Sequence, residues 1–247
     1  MALTDTAWLH SVGDPPDSRL QLVCLPYAGS LVPPFLDWAP HLPPRVAMLS
    51  AQLPGRGPSH GTPEPKSIPE MAEALVDPLL ECLRGPFALF GHSMGALISF
   101  ELARALEDLG APLRRLFVSS YRAPQLPMGR RQLHLAPDTE LVGHLDVLSD
   151  GSLRDSRDVA EYLLPILRRD LRLCETYEFT GGTPLRTPIT AFHGVEDPLF
   201  SNAEVQRWCE LTEAEFAFFE FPGGHFHVKE SKREVLAHVL READSVR

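Results

Sequence analysis

The 247 residues, 44% of them hydrophobic and 23% charged, suffice for one sizeable core and match the composition of a soluble globular chain. A formal net charge of −10 argues against nucleic acid, or an anionic membrane surface, as the main partner. No apolar run approaches the ~18–20 residues of a membrane span, and Met1 to Ser18 lacks the basic-then-apolar layout of a secretory signal; it reads as a frayed leader.

In chain order, Leu20 to Leu25 reads as a strand that ends in the turn Pro26-Tyr27-Ala28-Gly29-Ser30. Val46 to Leu53 is a second strand, closed by Pro54-Gly55-Arg56-Gly57-Pro58. A Pro-rich loop runs to Pro69, and helical spacing follows from about Glu70 to Leu83. The apolar run from Phe87 to Phe90 predicts a buried strand, and Ala96 to Leu106 a helix. Leu116 to Ser120 is another strand. Beyond it, Asp138 to Leu148 and Val159 to Tyr177 carry helical patterns with no convincing strand between them. Pro188 to His193 and Glu215 to Phe221 read as the last strands; Glu204 to Leu211 and Lys232 to Leu240 read as helices. This alternation predicts a single α/β domain over residues 1–247, with a mostly parallel sheet covered by helices on both faces. The strandless insertion, approximately residues 122–185, is a candidate helical lid. Its pairs Arg130-Arg131 and Arg168-Arg169 offer charge to an acidic partner, or simply solvate a helix face. The four cysteines (Cys24, Cys82, Cys174, Cys209) are scattered, with no C-x-x-C pair and no zinc-type spacing. No metal site is expected, and a reducing, cytoplasmic setting fits.

The most informative segment is Phe90-Gly91-His92-Ser93-Met94-Gly95-Ala96. Gly-x-Ser-x-Gly between a strand and a helix is the pattern of a nucleophile elbow, where the chain turns sharply around a strained serine. A Cβ on either flanking glycine would collide with the neighbouring strand or helix. A serine nucleophile needs a base, and the base an acid, in the chain order Ser, Asp or Glu, His. His225 follows Pro222-Gly223-Gly224 and precedes the last helix, a loop position that suits a base; His227 is its nearest rival. His238 reads as surface, His193 as a packing or capping residue, and His92 as structural. Asp197 lies in the loop after the strand ending at His193, and Pro198 restricts its backbone; the adjacent Glu196 is the alternative acid. Two backbone N–H groups should hold an oxyanion, one from Met94 and one from Tyr27-Ala28-Gly29.

Taken together, these stretches resemble the type II thioesterases that accompany polyketide synthases and non-ribosomal peptide synthetases. The resemblance rests on Leu25-Pro26-Tyr27-Ala28-Gly29, Gln52-Leu53-Pro54-Gly55-Arg56, the elbow, Phe100-Glu101-Leu102-Ala103-Arg104, Leu163-Leu164-Pro165 with Arg168 and Asp170, Glu175-Thr176-Tyr177, and Pro222-Gly223-Gly224-His225-Phe226. It implies an α/β-hydrolase core with a helical lid, and release of acyl groups from the phosphopantetheine arm of carrier proteins. It further implies Ser93 as nucleophile, Asp197 as acid, His225 as base, and the N–H groups of Ala28 and Met94 as oxyanion donors. No cofactor is implied, the pantetheine being part of the substrate. Acyl or peptidyl carrier protein domains are the implied partners, and a monomer is expected. Departures from the family pattern are Gly57-Pro58-Ser59-His60, where a charged run is usual, Leu148-Ser149-Asp150-Gly151-Ser152 in the lid, and His227, where an aromatic or aliphatic residue is usual. An oxygen-ester carboxylesterase or lipase is the rival catalytic reading, and a non-catalytic carrier-binding module the rival of another class. The apolar residues Leu141, Leu145, Leu148, Leu163 and Leu167 are expected to line or support the lid chamber, or to pack on the core.

Overall fold

The computed structural model describes residues 8–12, 18–31, 33, 35–56, 61, 64–129, 132–149 and 157–245. Seven strands form one sheet: β1 (Leu9–Ser11), β2 (Leu20–Leu25), β3 (Val46–Ala51), β4 (Phe87–His92), β5 (Leu113–Ser119), β6 (Ile189–Gly194) and β7 (Phe216–Phe221). Their spatial order is β1-β3-β2-β4-β5-β6-β7. Strand β1 pairs antiparallel with β3, Leu9 opposite Ala51, and the remaining pairings are parallel.

A parallel sheet covered on both faces must bury every strand residue, and all six residues of β2 and of β4 are buried. Side chains alternate between two cores, as the pleat requires. Val23, Leu25, Leu89, Leu116 and Val118 enter one core with α1 (Ile68–Cys82) and α2 (Met94–Asp108). Leu22, Cys24, Phe90 and Phe117 enter the other with Trp38 and α7 (Lys232–Ser245). Helix α1 starts where the Ser67 side chain accepts the Glu70 N–H at 3.2 Å while Glu70 accepts the Lys66 N–H at 2.8 Å. Orphan amides of the first turn are thereby satisfied, and Pro69 sits where no intrahelical donor is needed.

Between β5 and β6 lie α3 (Asp138–Ser149) and α4 (Arg157–Glu175). Leu141 of α3 and Leu163, Leu167 and Leu173 of α4 are buried in the first core. The insertion is therefore packed as an integral layer of the molecule. The side chains of Leu145 and Leu148, the segments 57–60 and 150–152, and Arg130-Arg131 lie outside the described residues.

Several details differ from the sequence reading. Leu9–Ser11, inside the expected leader, is an edge strand; three residues paired on one side are too short for a hydrophobic period to show. Leu36–His41 forms a 3-10 turn that seats Trp38. The helix expected over 204–211 divides into α5 (Asn202–Gln206), started by a Ser201/Glu204 capping box, and a 3-10 turn (Arg207–Leu211). A short α6 (His227–Glu230) precedes α7. The side chain of His238, expected at the surface, is half-buried against Phe219, with ring centroids 4.2 Å apart. All four cysteines are free, and burial pushes the Cys24 thiol far above its ordinary pKa. Among the described residues, no helix is long and apolar enough to cross a membrane.

Candidate active site

Strand β4 delivers Ser93 to the C-terminal edge of the sheet, and α2 begins at the next residue. Ser93 holds φ 54°, ψ −120°, a sparsely populated conformation of the kind that costs of order 1–3 kcal/mol and persists only where the surroundings impose it. Those surroundings are visible. The Ser93 N–H donates to the Ser119 carbonyl at 2.8 Å. A Cβ built on Gly91 would stand 2.1 Å from the Gly95 carbonyl oxygen, and one on Gly95 would stand 2.4 Å from that of Leu25. Both close approaches are to backbone, so neither can relax cheaply.

His225 comes from the loop after β7 and Asp197 from the loop after β6. His225 Nε2 lies 3.0 Å from Ser93 Oγ, and His225 Nδ1 lies 2.9 Å from Asp197 Oδ2. An ionised carboxylate only accepts, so Nδ1 carries the proton, and Nε2 is left to accept the serine O–H. The imidazole is 4% exposed and rings of Phe226 and Phe200 flank it, at 5.2 and 6.2 Å. Burial works against the Asp197 carboxylate, but hydrogen bonds from His225, the Leu199 N–H and Ser120 outweigh it. Its pKa is held below the ordinary value. The alternative acid, Glu196, is exposed.

The rival base does something else. His227 is fully buried; its Nε2 lies 3.3 Å from Ser119 Oγ and its Nδ1 3.3 Å from Ser120 Oγ. His92 Nδ1 lies 3.0 Å from the same Ser119 hydroxyl, and Ser120 bonds Asp197. Counting donors orders the whole chain, because the carboxylate at its end can only accept. Ser120 O–H donates to Asp197, His227 Nδ1–H to Ser120, Ser119 O–H to His227 Nε2, and His92 Nδ1–H to Ser119. The one atom of this chain left over, His92 Nε2, is then a bare acceptor, and it has no hydrogen-bond partner among the described residues. Burial, reinforced by His225, pushes the His227 pKa down to about 4. His92 lies well below its usual value for the same leading reason. His193 is buried, and burial lowers its pKa too.

On the opposite side, the loop after β2 carries Ala28. Among the described residues, neither the Ala28 N–H nor the Met94 N–H has a backbone acceptor. The loop is held from α4: Asp170 accepts the Gly29 N–H at 2.9 Å and a guanidinium N–H of Arg56 at 2.7 Å, and Arg56 also donates to the Ser30 carbonyl at 2.9 Å. Arg56 and Asp170 are 1% and 0% exposed. Sequence reasoning assigned Ser119, Ser120, Arg56 and Asp170 no role at this site. Ser119 and Ser120 merely end an apolar strand, and the Arg56–Asp170 pair joins residues 114 positions apart.

Known proteins resemble this chain over nearly its whole length. The thioesterase domain family matches residues 20–243. The gramicidin S biosynthesis protein GrsT of Aneurinibacillus migulanus is 36% identical over 231 residues, covering 91% of this chain and 89% of that protein. Thioesterase PikA5 of Streptomyces venezuelae is 34% identical, covering 92% and 82%. The structure of the type II thioesterase BorB from the borrelidin biosynthetic cluster superposes with a TM-score of 0.88 at 34% identity, covering 97% of this chain and 99% of that one. With a family match over most of its length and relatives of its own size, the chain belongs to the thioesterase domain family of α/β-hydrolases.

Proposed function

We propose that the protein is a stand-alone serine thioesterase. It hydrolyses aberrant or stalled acyl groups from the phosphopantetheine arm of acyl or peptidyl carrier domains of a polyketide or non-ribosomal peptide synthase. The observation that carries this reading is the hydrogen-bonded chain Ser93–His225–Asp197 in a member of the thioesterase family. His225 Nε2 accepts the Ser93 proton as the oxygen attacks the thioester carbonyl; the N–H groups of Ala28 and Met94 hold the oxyanion. Collapse of the tetrahedral intermediate expels the pantetheine thiolate, which takes the proton from His225. A water then attacks the acyl-enzyme with His225 as base, the carboxylic acid leaves, and Ser93 regains its proton. Asp197 stays ionised and fixes the imidazole tautomer. Every proton and electron pair in this scheme is accounted for by the protein and water, so no metal or redox cofactor is called for. In this reading the whole chain is one catalytic domain, residues 122–185 serve as its lid, and the enzyme works as a cytoplasmic monomer.

The test compares wild type with Ser93→Ala on acyl-carrier proteins and matched oxygen esters. Release of acyl groups from the carrier, lost by about 10⁴-fold or more in the variant, is the expected outcome. Faster cleavage of oxygen esters, or activity that survives the substitution, would replace this reading with a general carboxylesterase or a binding module.

A further inference from the structure

Ser119 ends β5 and Ser120 follows it, and together they meet both the nucleophile elbow and the acid. The Ser119 carbonyl accepts the Ser93 N–H at 2.8 Å, and the Ser120 N–H donates to the Phe192 carbonyl of β6 at 3.0 Å. Ser120 is fully buried and holds φ 49°, in the left-handed region that glycine adopts without a Cβ penalty. Glycine would suit that backbone better, so the reason for a serine lies in what its hydroxyl touches.

That hydroxyl lies between Asp197, to which it donates, and His227 Nδ1, 3.3 Å away. Asp197 also accepts the Leu199 N–H on Oδ1 at 2.8 Å and the His225 Nδ1–H on Oδ2 at 2.9 Å. Leu199 belongs to the same loop as the acid and moves with it, and His225 is the group to be oriented. Ser120, by contrast, is anchored at the end of a strand whose neighbouring residue also holds the elbow. It therefore sets where the carboxylate stands relative to Ser93. A hydroxyl turns about its C–O bond, and Ser120 leaves its proton on Asp197 only while another group donates to its oxygen. His227 Nδ1–H is that donor. Its ring lies parallel to Phe221, with 4° between the planes and centroids 5.5 Å apart. Its Nε2 is 3.3 Å from Ser119 Oγ, and its backbone N–H donates to the Gly224 carbonyl at 3.1 Å, so the imidazole is held on three sides.

We propose that His227 and Ser120 are positioning residues that act in series, His227 fixing the Ser120 hydroxyl and Ser120 holding the Asp197 carboxylate in register with His225. The proposal rests on the reading of Asp197 as the acid of the triad. Neither residue touches a reacting atom.

Steady-state kinetics on a short-chain acyl-pantetheine thioester test this with Ser120→Gly, His227→Phe and the double variant. Glycine suits the backbone at position 120, and phenylalanine keeps a ring against Phe221, so melting temperatures close to that of wild type are expected and are measured alongside. Each single substitution should lower kcat by about 10-fold, with KM changed by less than about 2-fold, and the double variant should be no slower than Ser120→Gly alone. The far-downfield proton resonance of the His225–Asp197 hydrogen bond should shift or broaden in all three, which a purely structural role would not produce. Unchanged kcat in Ser120→Gly, a loss carried by KM, or losses that multiply in the double variant would overturn the proposal. Should His227→Phe fail to fold, Ser120→Gly and its resonance still decide the link to the acid. Failure of the parent reading shows separately, as full activity in Asp197→Asn.

Discussion

Three histidines, His92, His225 and His227, gather behind Ser93, His92 lying tilted to His225 with centroids 5.2 Å apart and edge-on to His227 at 6.0 Å. They differ in what surrounds them. His225 faces a carboxylate on one side and the serine on the other; His92 and His227 meet the Ser119 and Ser120 hydroxyls and, among the described residues, no carboxylate, and His227 also stacks on Phe221. Burial keeps the latter two neutral, and their role is to pass orientation from Ser119 through Ser120 to Asp197. The pH dependence of stability follows from this. The folded pKa of His227 is about 4 against a reference of 6.5, and His92 lies well below the same reference. Between those values the unfolded chain binds more protons than the native one, so stability falls as the pH drops from about 6.5 toward 4. The slope approaches about 1.4 kcal/mol per pH unit for each histidine. Above pH 6.5 neither group contributes a slope. Denaturant unfolding at pH 7.5 and 4.5 measures this, and His227→Gln should flatten the profile; an equally steep profile in the variant would remove His227 as a cause. The sequence ranked His225 above its neighbour because two glycines precede it, and that reasoning led to the residue the structure sets beside Ser93. What His227 does instead was not legible, since it depends on two serines a hundred residues away.

At the scale of elements, α4 reaches both the core and the site. Its apolar residues Leu163, Leu167 and Leu173 enter the first core, while Asp170 on the same helix binds Arg56 and the Gly29 N–H. A buried ion pair of this kind is a weak source of stability but an expensive one to break, because removing one partner strands the other charge at a cost of about 3–5 kcal/mol. Asp170→Asn is therefore expected to lower stability by that order. As Gly29 loses its anchor, kcat should fall by about 10²-fold, comparable to loss of one oxyanion donor, with little change in KM. Calorimetric unfolding together with steady-state kinetics on an acyl thioester measures both; a fall in stability with kcat intact would confine Asp170 to a structural role. The helix itself was readable from its spacing, and its bounds moved by no more than two residues, from Val159–Tyr177 to Arg157–Glu175. Its tether was not, because a charged residue inside a helical pattern looks the same whether it meets water or a buried arginine.

For the whole molecule, the insertion that separates β5 from β6 shares its core with α1 and α2, so the two parts should unfold together. Trp208 stands in the first core and Trp38 in the second. Their fluorescence and the far-UV circular dichroism are expected to give coincident transitions in urea; an earlier loss of helical signal would mark α3 and α4 as an independent unit. By itself the sequence determined the alternation of strands and helices, the parallel sheet they build, the elbow around Ser93, and the chain order of serine, acid and histidine. Those features are local. Periodicity is set by which face of a strand or helix is buried, and the two glycines of the elbow are required by contacts within one strand–turn–helix unit and its neighbouring strand. Only the tertiary structure decided what His227 and His92 do beside the favoured base, and which charges are buried together. These are settled by loops from β6, β7 and α4 converging on one edge of the sheet, and such convergence depends on how far each strand is carried across it, a quantity no local pattern contains.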